Sequence, residues 1–373
     1  MKRMNKKIKV LIVTEPINRV GGIEKYCRDL TVAFGANIGA KNVKLISAPF
    51  PQLTFLRKIT MLFSVFYNSL RFYPNYIVCG HIYLSSYVTL ISRWLHIPYI
   101  ICTHGIEVWR DLPLSQEQHL KNAVKVITIS GFTRDKLVEK GISADKIFLI
   151  HPYIDTERFN SAMGTGRVRM LYDLENKKVV LIVARMSSSE RYKGHEELIR
   201  AMPEIIREIP EAVLLIVGGG DDAERLQDLG ESLGLKDRVI FTGKVNDDEL
   251  PFYYNACDVF AMPSRVIRKD DGRWGGEGFG IVFLEASACG KPVIGASSGG
   301  IPDAVAEGET GLLVDPEDKD ALKKAIIKLL IDKTLAEQLG NNGRQWAMKY
   351  DIKLLTAKTR KLLEDLEEER CAA

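Results

Sequence analysis

Two glutamates, Glu277 and Glu285, stand eight residues apart in GGEGFGIVFLEASACGKPVIGA (275–296), with Gly278 and Gly280 between them. In one continuous helix this spacing would set the carboxylates about two turns apart. The glycines instead predict Glu277 on a loop and Glu285 in the second turn of a helix beginning near Ile281. Glycines let backbone N–H groups come close to a ligand, and the start of a helix turns partial positive charge toward anything anionic. A ligand lying across that start could meet a carboxylate at each end and amides in the middle. A sugar joined to a nucleoside through a diphosphate has that shape.

Other residues extend the pattern. In ARMSSSERYKGHEELI (184–199), Arg185 closes a strand and Lys193 opens the next helix. Two cations at one strand-to-helix junction repel unless an anion lies between them. A diphosphate would accept about 1.5–3 kcal/mol from each charged hydrogen bond. The plainer reading is a solvated loop with ordinary surface charges. His104, in ICTHGIEVW, directly follows an apolar strand and sits beside Gly105, with Glu107 as a secondary candidate; it serves either packing or catalysis. Gly21–Gly22 form a phosphate-friendly turn without the full G-x-G-x-x-G pattern. Asp221–Asp222 follow GGG without partners at ligand spacing and read as the N-terminal charge of a helix. No Ser-His-Asp set, G-x-S-x-G or Walker A is present.

The elements that must hold these residues are apolar strands alternating with helices. Strands are predicted at 8–14, 42–48, 76–80, 98–105, 123–130 and 146–152, and the pattern restarts at 177–184, 212–220, 238–243, 258–264, 291–296 and 311–316. Such alternation predicts parallel sheets covered on both faces. The expected architecture is α/β: two Rossmann-like domains, joined near Ser161–Arg169, whose sheets face a central cleft. A terminal helix over 350–366 could reach back to brace the first domain.

At 373 residues the chain favours two domains over one. A hydrophobic fraction of 46% with 27% charged residues belongs to a soluble globular protein. The net charge of +4 hides an asymmetry: residues 1–170 carry 24 Lys and Arg against 11 Asp and Glu, and the rest 28 against 37. The basic half suggests an anionic partner, either a phosphate-bearing acceptor or a membrane surface. Six cysteines without a C-x-x-C pair read as reduced, mostly buried thiols of a cytosolic protein. The basic start MKRMNKKIKV leads into a strand and carries no signal-peptide core. The segment 55–74 is apolar on nearly every face, but Ile59–Leu70 falls short of the roughly 20 residues that span a bilayer. It reads either as a buried helix or as an interfacial one.

Together these residues resemble the retaining glycosyltransferases of two-Rossmann (GT-B) architecture, family 4, which include bacterial phosphatidylinositol mannosyltransferases and sucrose-phosphate synthases. The resemblance covers most of the chain and is densest from Val180 to Pro316. It is carried by Glu277…Glu285 with the continuation SGGIPDAV and GETGLLVDP, by Arg185 with Lys193–Gly194, and by Gly21–Gly22. It implies an acceptor-side domain over 1–165, a donor-side domain over 166–345 and a bracing helix over 346–373. Glu285 would bind the ribose. Glu277 and the Gly278–Phe279–Gly280 backbone would hold the transferred sugar, with the Ile281 and Val282 amides near the diphosphate. Arg185 and Lys193 would neutralise the leaving group, Lys244 and Val245 would read the base, and His104 would touch the sugar at the reacting centre.

The implied activity is metal-independent, retaining transfer of a hexosyl group from a nucleotide sugar to a hydroxyl of a lipid-linked or phosphate-bearing acceptor, in cell-envelope glycan or glycolipid biosynthesis. The loop 265–275 resembles that of the phosphatidylinositol mannosyltransferases, which favours GDP-mannose over UDP-glucose or UDP-N-acetylglucosamine. Arg268, Lys269 and Arg273 would touch acceptor or donor. The implied partners are the nucleotide sugar, the acceptor and an anionic membrane surface, with no nucleic acid. The implied place is the cytoplasm, peripheral at the inner membrane face. An epimerase, a sugar phosphorylase or a non-catalytic nucleotide-sugar subunit are the alternatives.

Overall fold

The computed structural model describes residues 8–15, 21–47, 55–162, 164–269, 272–318 and 320–372. The basic residues 1–7 and residues 270 and 271 of the 265–275 loop lie outside that set, as do the side chains of Arg57 and Lys58. Two compact units are present, one of residues 1–153 with 352–373 and one of residues 154–351.

The first unit is built on six parallel strands, β1 (Val10–Thr14), β2 (Val43–Ser47), β3 (Tyr76–Cys79), β4 (Tyr99–Thr103), β5 (Lys125–Thr128) and β6 (Ile147–Leu149). Their order is β2-β1-β3-β4-β5-β6. Val10 pairs with Val43 on one side and Tyr76 on the other. β1, β3, β4 and β5 are buried at every position, as expected of runs rich in β-branched residues covered on both faces.

The second unit repeats the plan with β7 (Lys178–Val183), β8 (Ala212–Val217), β9 (Val239–Gly243) and β10 (Val259–Met262). A short antiparallel hairpin, β11 (Ile267–Arg268) and β12 (Trp274–Gly275), follows, and then β13 (Val293–Ala296) and β14 (Gly311–Val314). The sheet order is β14-β13-β10-β7-β8-β9. Every strand predicted from the sequence is present, each within the predicted range; the hairpin is additional.

The change of unit falls at Tyr153–Ile154 rather than at Ser161–Arg169. Hydrogen bonds decide this, because residues 154–160 are tied to the second unit. The Ile154 amide donates to Tyr350 O at 2.9 Å, and Asn255 donates to Asn160 O at 2.9 Å. Residues 346–351 likewise stay with the second unit, where Trp346 Nε1 donates to Ala304 O and Tyr350 Oη to Asp303 O. The last helix, Ile352–Ala372, belongs to the first unit. There Asn37 Nδ2 donates to Thr356 O and Thr359 Oγ1, and Tyr76 Oη to Leu366 O. Leu355, Leu362, Leu363 and Leu366 of that helix are buried.

The segment 55–74 forms a helix over Phe55–Phe72 that is buried on one face only, at Met61, Val65 and Ser69. Among the described residues no helix is long and apolar enough to cross a membrane. The cysteines are free; five are buried and Cys371 is exposed. Burial pushes the Cys79, Cys257 and Cys289 thiols up to about 12, so they stay protonated and unreactive.

Candidate active site

In the second sheet the strand order reverses between β7 and β10, with β8 and β9 beyond one and β13 and β14 beyond the other. Open α/β sheets take ligands in the crevice at the carboxyl ends of the strands flanking such a reversal. Arg185 follows β7, and the turn Pro263–Ser264 follows β10. Gly194 makes the two segments meet: its φ is +93°, and a Cβ there would lie 2.6 Å from the Pro263 ring. Only glycine serves at that position, and the close approach delivers Lys193 to the β10 side.

Lys193 Nζ donates to Glu277 Oε2 at 2.8 Å, with both side chains mostly buried. Burial by itself disfavours the Lys193 charge. The Glu277 carboxylate, with Tyr192 and Glu190, more than offsets this and holds the ammonium well above its ordinary value. The two cations predicted to face one another across an anion are therefore each paired within the protein: Lys193 with Glu277, and Arg185 with Glu190 Oε1 at 2.6 Å. Arg185 is 72% exposed and Glu190 18%, so solvent reaches this pair from the arginine side.

Glu277 stands on a loop, and the helix begins at Ile281 (Ile281–Ala288) after Gly280 in the left-handed region at φ +92°. A Cβ on Gly280 would meet the Phe283 ring at 2.7 Å. The Gly300 amide donates to Glu277 O at 2.9 Å, and a Cβ on Gly300 would lie 2.0 Å from Gly278 O. The Gly278–Phe279–Gly280 backbone is thus clamped from below, with Phe279 buried. The first amides of the helix, Ile281 and Val282, have no carbonyl four residues back within it. In the second turn Glu285 Oε2 accepts from Tyr254 Oη at 2.7 Å. Tyr254 is buried, and burial together with the Glu285 charge raises its hydroxyl, which stays a donor. Nothing in PFYYNAC singled out Tyr254 as this partner.

The loop Gly218–Asp222 after β8 lies directly on the Ala184–Met186 backbone. A Cβ on Gly218 would sit 2.0 Å from Ala184 O, and one on Gly220 1.9 Å from Met186 O. Asp222 precedes the helix Ala223–Ser232, but its side chain does not cap it. Asp222 accepts from Arg191 and Arg225, and Asp221 accepts from the Ser188 amide. These carboxylates brace the Arg185–Lys193 segment, a role their sequence position beside a helix did not suggest. Lys244 and Val245 follow β9, with Lys244 exposed and beside Gly219. In the 265–275 loop, Lys269 Nζ donates to Ser189 O at 2.5 Å and Arg265 pairs with Glu197 at 3.0 Å. Gly275 rests on the buried Tyr192 ring, where a Cβ would come within 2.5 Å. The hairpin thus packs on the segment carrying Lys193. Among the described residues no three His, Cys, Asp or Glu side chains cluster as metal ligands do.

In the first unit the order reverses between β1 and β3. The Gly80 amide, just past β3, donates to Val13 O at 2.7 Å. His104, just past β4, is buried and its Nε2 donates to Gly80 O at 2.7 Å. A carbonyl can only accept, so Nε2 carries a hydrogen. The Tyr26 ring stands edge-on to it at 5.4 Å, and the His81 ring stacks at 5.7 Å. The His104 amide donates to the buried Glu107 carboxylate. His81 is held neutral, its pKa lowered to about 4 chiefly by burial. The position of His81 directly after the apolar run YIVCG was the available signal for it. Gly21 and Gly22 open the helix Gly22–Ile38, and Glu24 Oε2 fills the space beside Gly21.

The family model for glycosyl transferases group 1 matches residues 172–346, and that for Glycosyltransferase Family 4 matches residues 26–158. The chain is 38% identical over 257 residues to the GDP-mannose-dependent alpha-(1-6)-phosphatidylinositol monomannoside mannosyltransferase of Mycolicibacterium smegmatis. That match takes in 67% of this chain and spans 65% of the relative's length. It is 30% identical over 344 residues to the D-inositol 3-phosphate glycosyltransferase of Corynebacterium urealyticum, covering 84% of this chain and 78% of that one. Among solved structures, Anabaena HepE in complex with UDP superposes with a TM-score of 0.80 at 20% identity, covering 96% of this chain and 100% of the other. The sucrose-phosphate synthase of Thermosynechococcus elongatus superposes with 0.79 at 23% identity, covering 97% and 100%. These structures share the two-domain α/β GT-B fold.

Proposed function

The chain belongs to glycosyltransferase family 4, and from that premise we propose that it moves a hexosyl group from a nucleotide sugar to a hydroxyl of a lipid-linked or phosphate-bearing acceptor. The observation that carries this reading is the Lys193–Glu277 pair at 2.8 Å, set at the strand reversal beside the start of the helix Ile281–Ala288. It places a fixed cation and a carboxylate next to backbone amides, the combination a sugar diphosphate needs.

In this proposal Glu285, oriented by Tyr254, takes the ribose hydroxyls. Glu277 and the Gly278–Phe279–Gly280 backbone take the sugar, and the Ile281 and Val282 amides face the diphosphate. Lys244 and Val245 read the base. On the first unit, Gly21 and Gly22 serve donor binding, and His104 serves the sugar at the reacting centre. Transfer proceeds with retention: the acceptor oxygen bonds to the anomeric carbon on the face from which the phosphate oxygen departs, and its proton passes to that oxygen. Arg185, Lys193 and the helix amides meet the developing negative charge, so the chain's own groups supply orientation and electrostatic stabilisation. No divalent metal is required.

The names of the relatives from Mycolicibacterium smegmatis and Corynebacterium urealyticum favour GDP-mannose as donor and an inositol-phosphate-bearing acceptor. The test is incubation with GDP-mannose, UDP-glucose or UDP-N-acetylglucosamine, with phosphatidylinositol or inositol phosphate as acceptor, in the presence of EDTA. Release of nucleoside diphosphate with a glycosylated acceptor is expected. Loss of turnover in EDTA with recovery on adding Mg²⁺ or Mn²⁺ would overturn metal independence. An epimerised donor, or no reaction with any donor, would overturn the transferase reading.

A further inference from the structure

Two cations follow β7 in close succession, and they repel one another unless an anion stands between them. The chain supplies one of its own. Glu190 Oε1 accepts from Arg185 Nη2 at 2.6 Å. Burial opposes the Lys193 charge, and Glu190 is one of the groups, with Glu277 and Tyr192, that sustain it. The second oxygen of the same carboxylate, Glu190 Oε2, is buried and accepts no hydrogen bond among the described residues. A buried acceptor left without a donor is costly, and more so when it carries charge. Packing alone therefore gives no reason for a carboxylate here, whereas a role in handling Arg185 does.

The residues around Glu190 are anchored. The Ser188 amide donates to Asp221, Ser189 O accepts from Lys269 Nζ, and Arg191 pairs with Asp222. Glu190 itself, at φ −123° and ψ 31°, leaves the helical geometry of its neighbours. With the backbone fixed on both sides, a change of side-chain rotamer is enough to withdraw the carboxylate from Arg185. A diphosphate that reaches Arg185 must compete with Glu190 for one guanidinium, since two anions on it repel each other. We propose that Glu190 is an internal stand-in for the donor diphosphate. It holds Arg185 before the donor binds, yields it to the diphosphate, and takes it back as the nucleoside diphosphate leaves. The competition weakens binding of that product and so speeds its release. The proposal rests on the reading of Arg185 as a donor-site residue.

The test is calorimetric titration of the full chain with GDP, UDP and inorganic pyrophosphate. Glu190→Gln keeps the shape of the side chain and removes its charge. It should tighten binding about fivefold or more, with slower nucleotide dissociation in stopped flow. Glu190→Ala should show the same gain, so the outcome does not hang on the folding of one variant. In an Arg185→Ala background Glu190→Gln should bring no gain, because the contested guanidinium is gone. Equal or weaker binding by both Glu190 variants would overturn the proposal, since Glu190 would then only support Arg185. An equal gain with and without Arg185 would also overturn it, since the charge would then act at a distance. Failure of the donor-site reading looks different. Wild type would bind none of the three ligands, or Arg185→Ala would bind them undiminished, and the proposal would fall with that reading. Binding that Arg185→Ala weakens but neither Glu190 variant strengthens would sink the proposal alone.

Discussion

At the scale of single residues, Arg185 and Lys193 differ in a way their types conceal. Arg185 is mostly exposed, and solvent screens its pair with Glu190 from that side, which limits what the pair contributes to stability. Lys193 and Glu277 are mostly buried, and removing one partner leaves the other charge uncompensated. Both cations are proposed to meet the leaving diphosphate, so alanine at either should lower turnover at least tenfold, the rate equivalent of about 1.4 kcal/mol. The melting temperature should separate them: unchanged for Arg185→Ala, lowered for Lys193→Ala. Steady-state kinetics with thermal melts checks both, and near-wild-type turnover in the two variants would remove the pair from the site.

Elements position these residues through backbone approaches that tolerate no side chain. Gly218 has φ +144° and no space for a Cβ against Ala184 O. Gly218→Ala should therefore cost about 1–3 kcal/mol, read by denaturant unfolding, and weaken nucleotide binding by shifting the segment that carries Arg185. The strand-to-helix junctions also hold histidines neutral. Burial lowers His81 in the first unit and His195 in the second to about 4. In the unfolded chain both would titrate near 6.5. The folded state then binds fewer protons than the unfolded one between these values. Stability is complete above about pH 6.5 and falls as pH drops toward 4. Melting temperatures measured from pH 7 to pH 5 should decline accordingly, and His195→Gln should flatten the slope.

For the whole molecule, the chain's order and its cores do not coincide. The last 21-residue helix is the farthest segment in sequence from β1, yet it completes the first unit, with Leu362 fully buried there. Leu362→Ala should destabilise the first unit by about 2–5 kcal/mol. Hydrogen exchange should show the loss in β1 and β3, with protection retained in β7 and β8. Loss confined to the second unit would contradict the assignment of this helix.

Alternation of apolar strands with helices was legible in the chain, because a strand buried on both faces must be an uninterrupted apolar run, and all twelve parallel strands lie where those runs are. The Glu277 loop and the helix start at Ile281 were legible for a local reason too, since Gly278 and Gly280 break the helix before it begins. What the sequence could not carry were contacts between segments distant along it. The unit boundary at Tyr153–Ile154 depends on hydrogen bonds to Tyr350 and Asn255. The pairings Lys193–Glu277 and Tyr254–Glu285, the bracing of the Lys193 segment by Asp221 and Asp222, and the stacking of His81 on His104 depend on which strand ends the sheet order brings side by side. Periodicity and glycine act within a few residues and can be read one segment at a time. Pairing and burial are properties of the packed chain, and tertiary structure alone decides them.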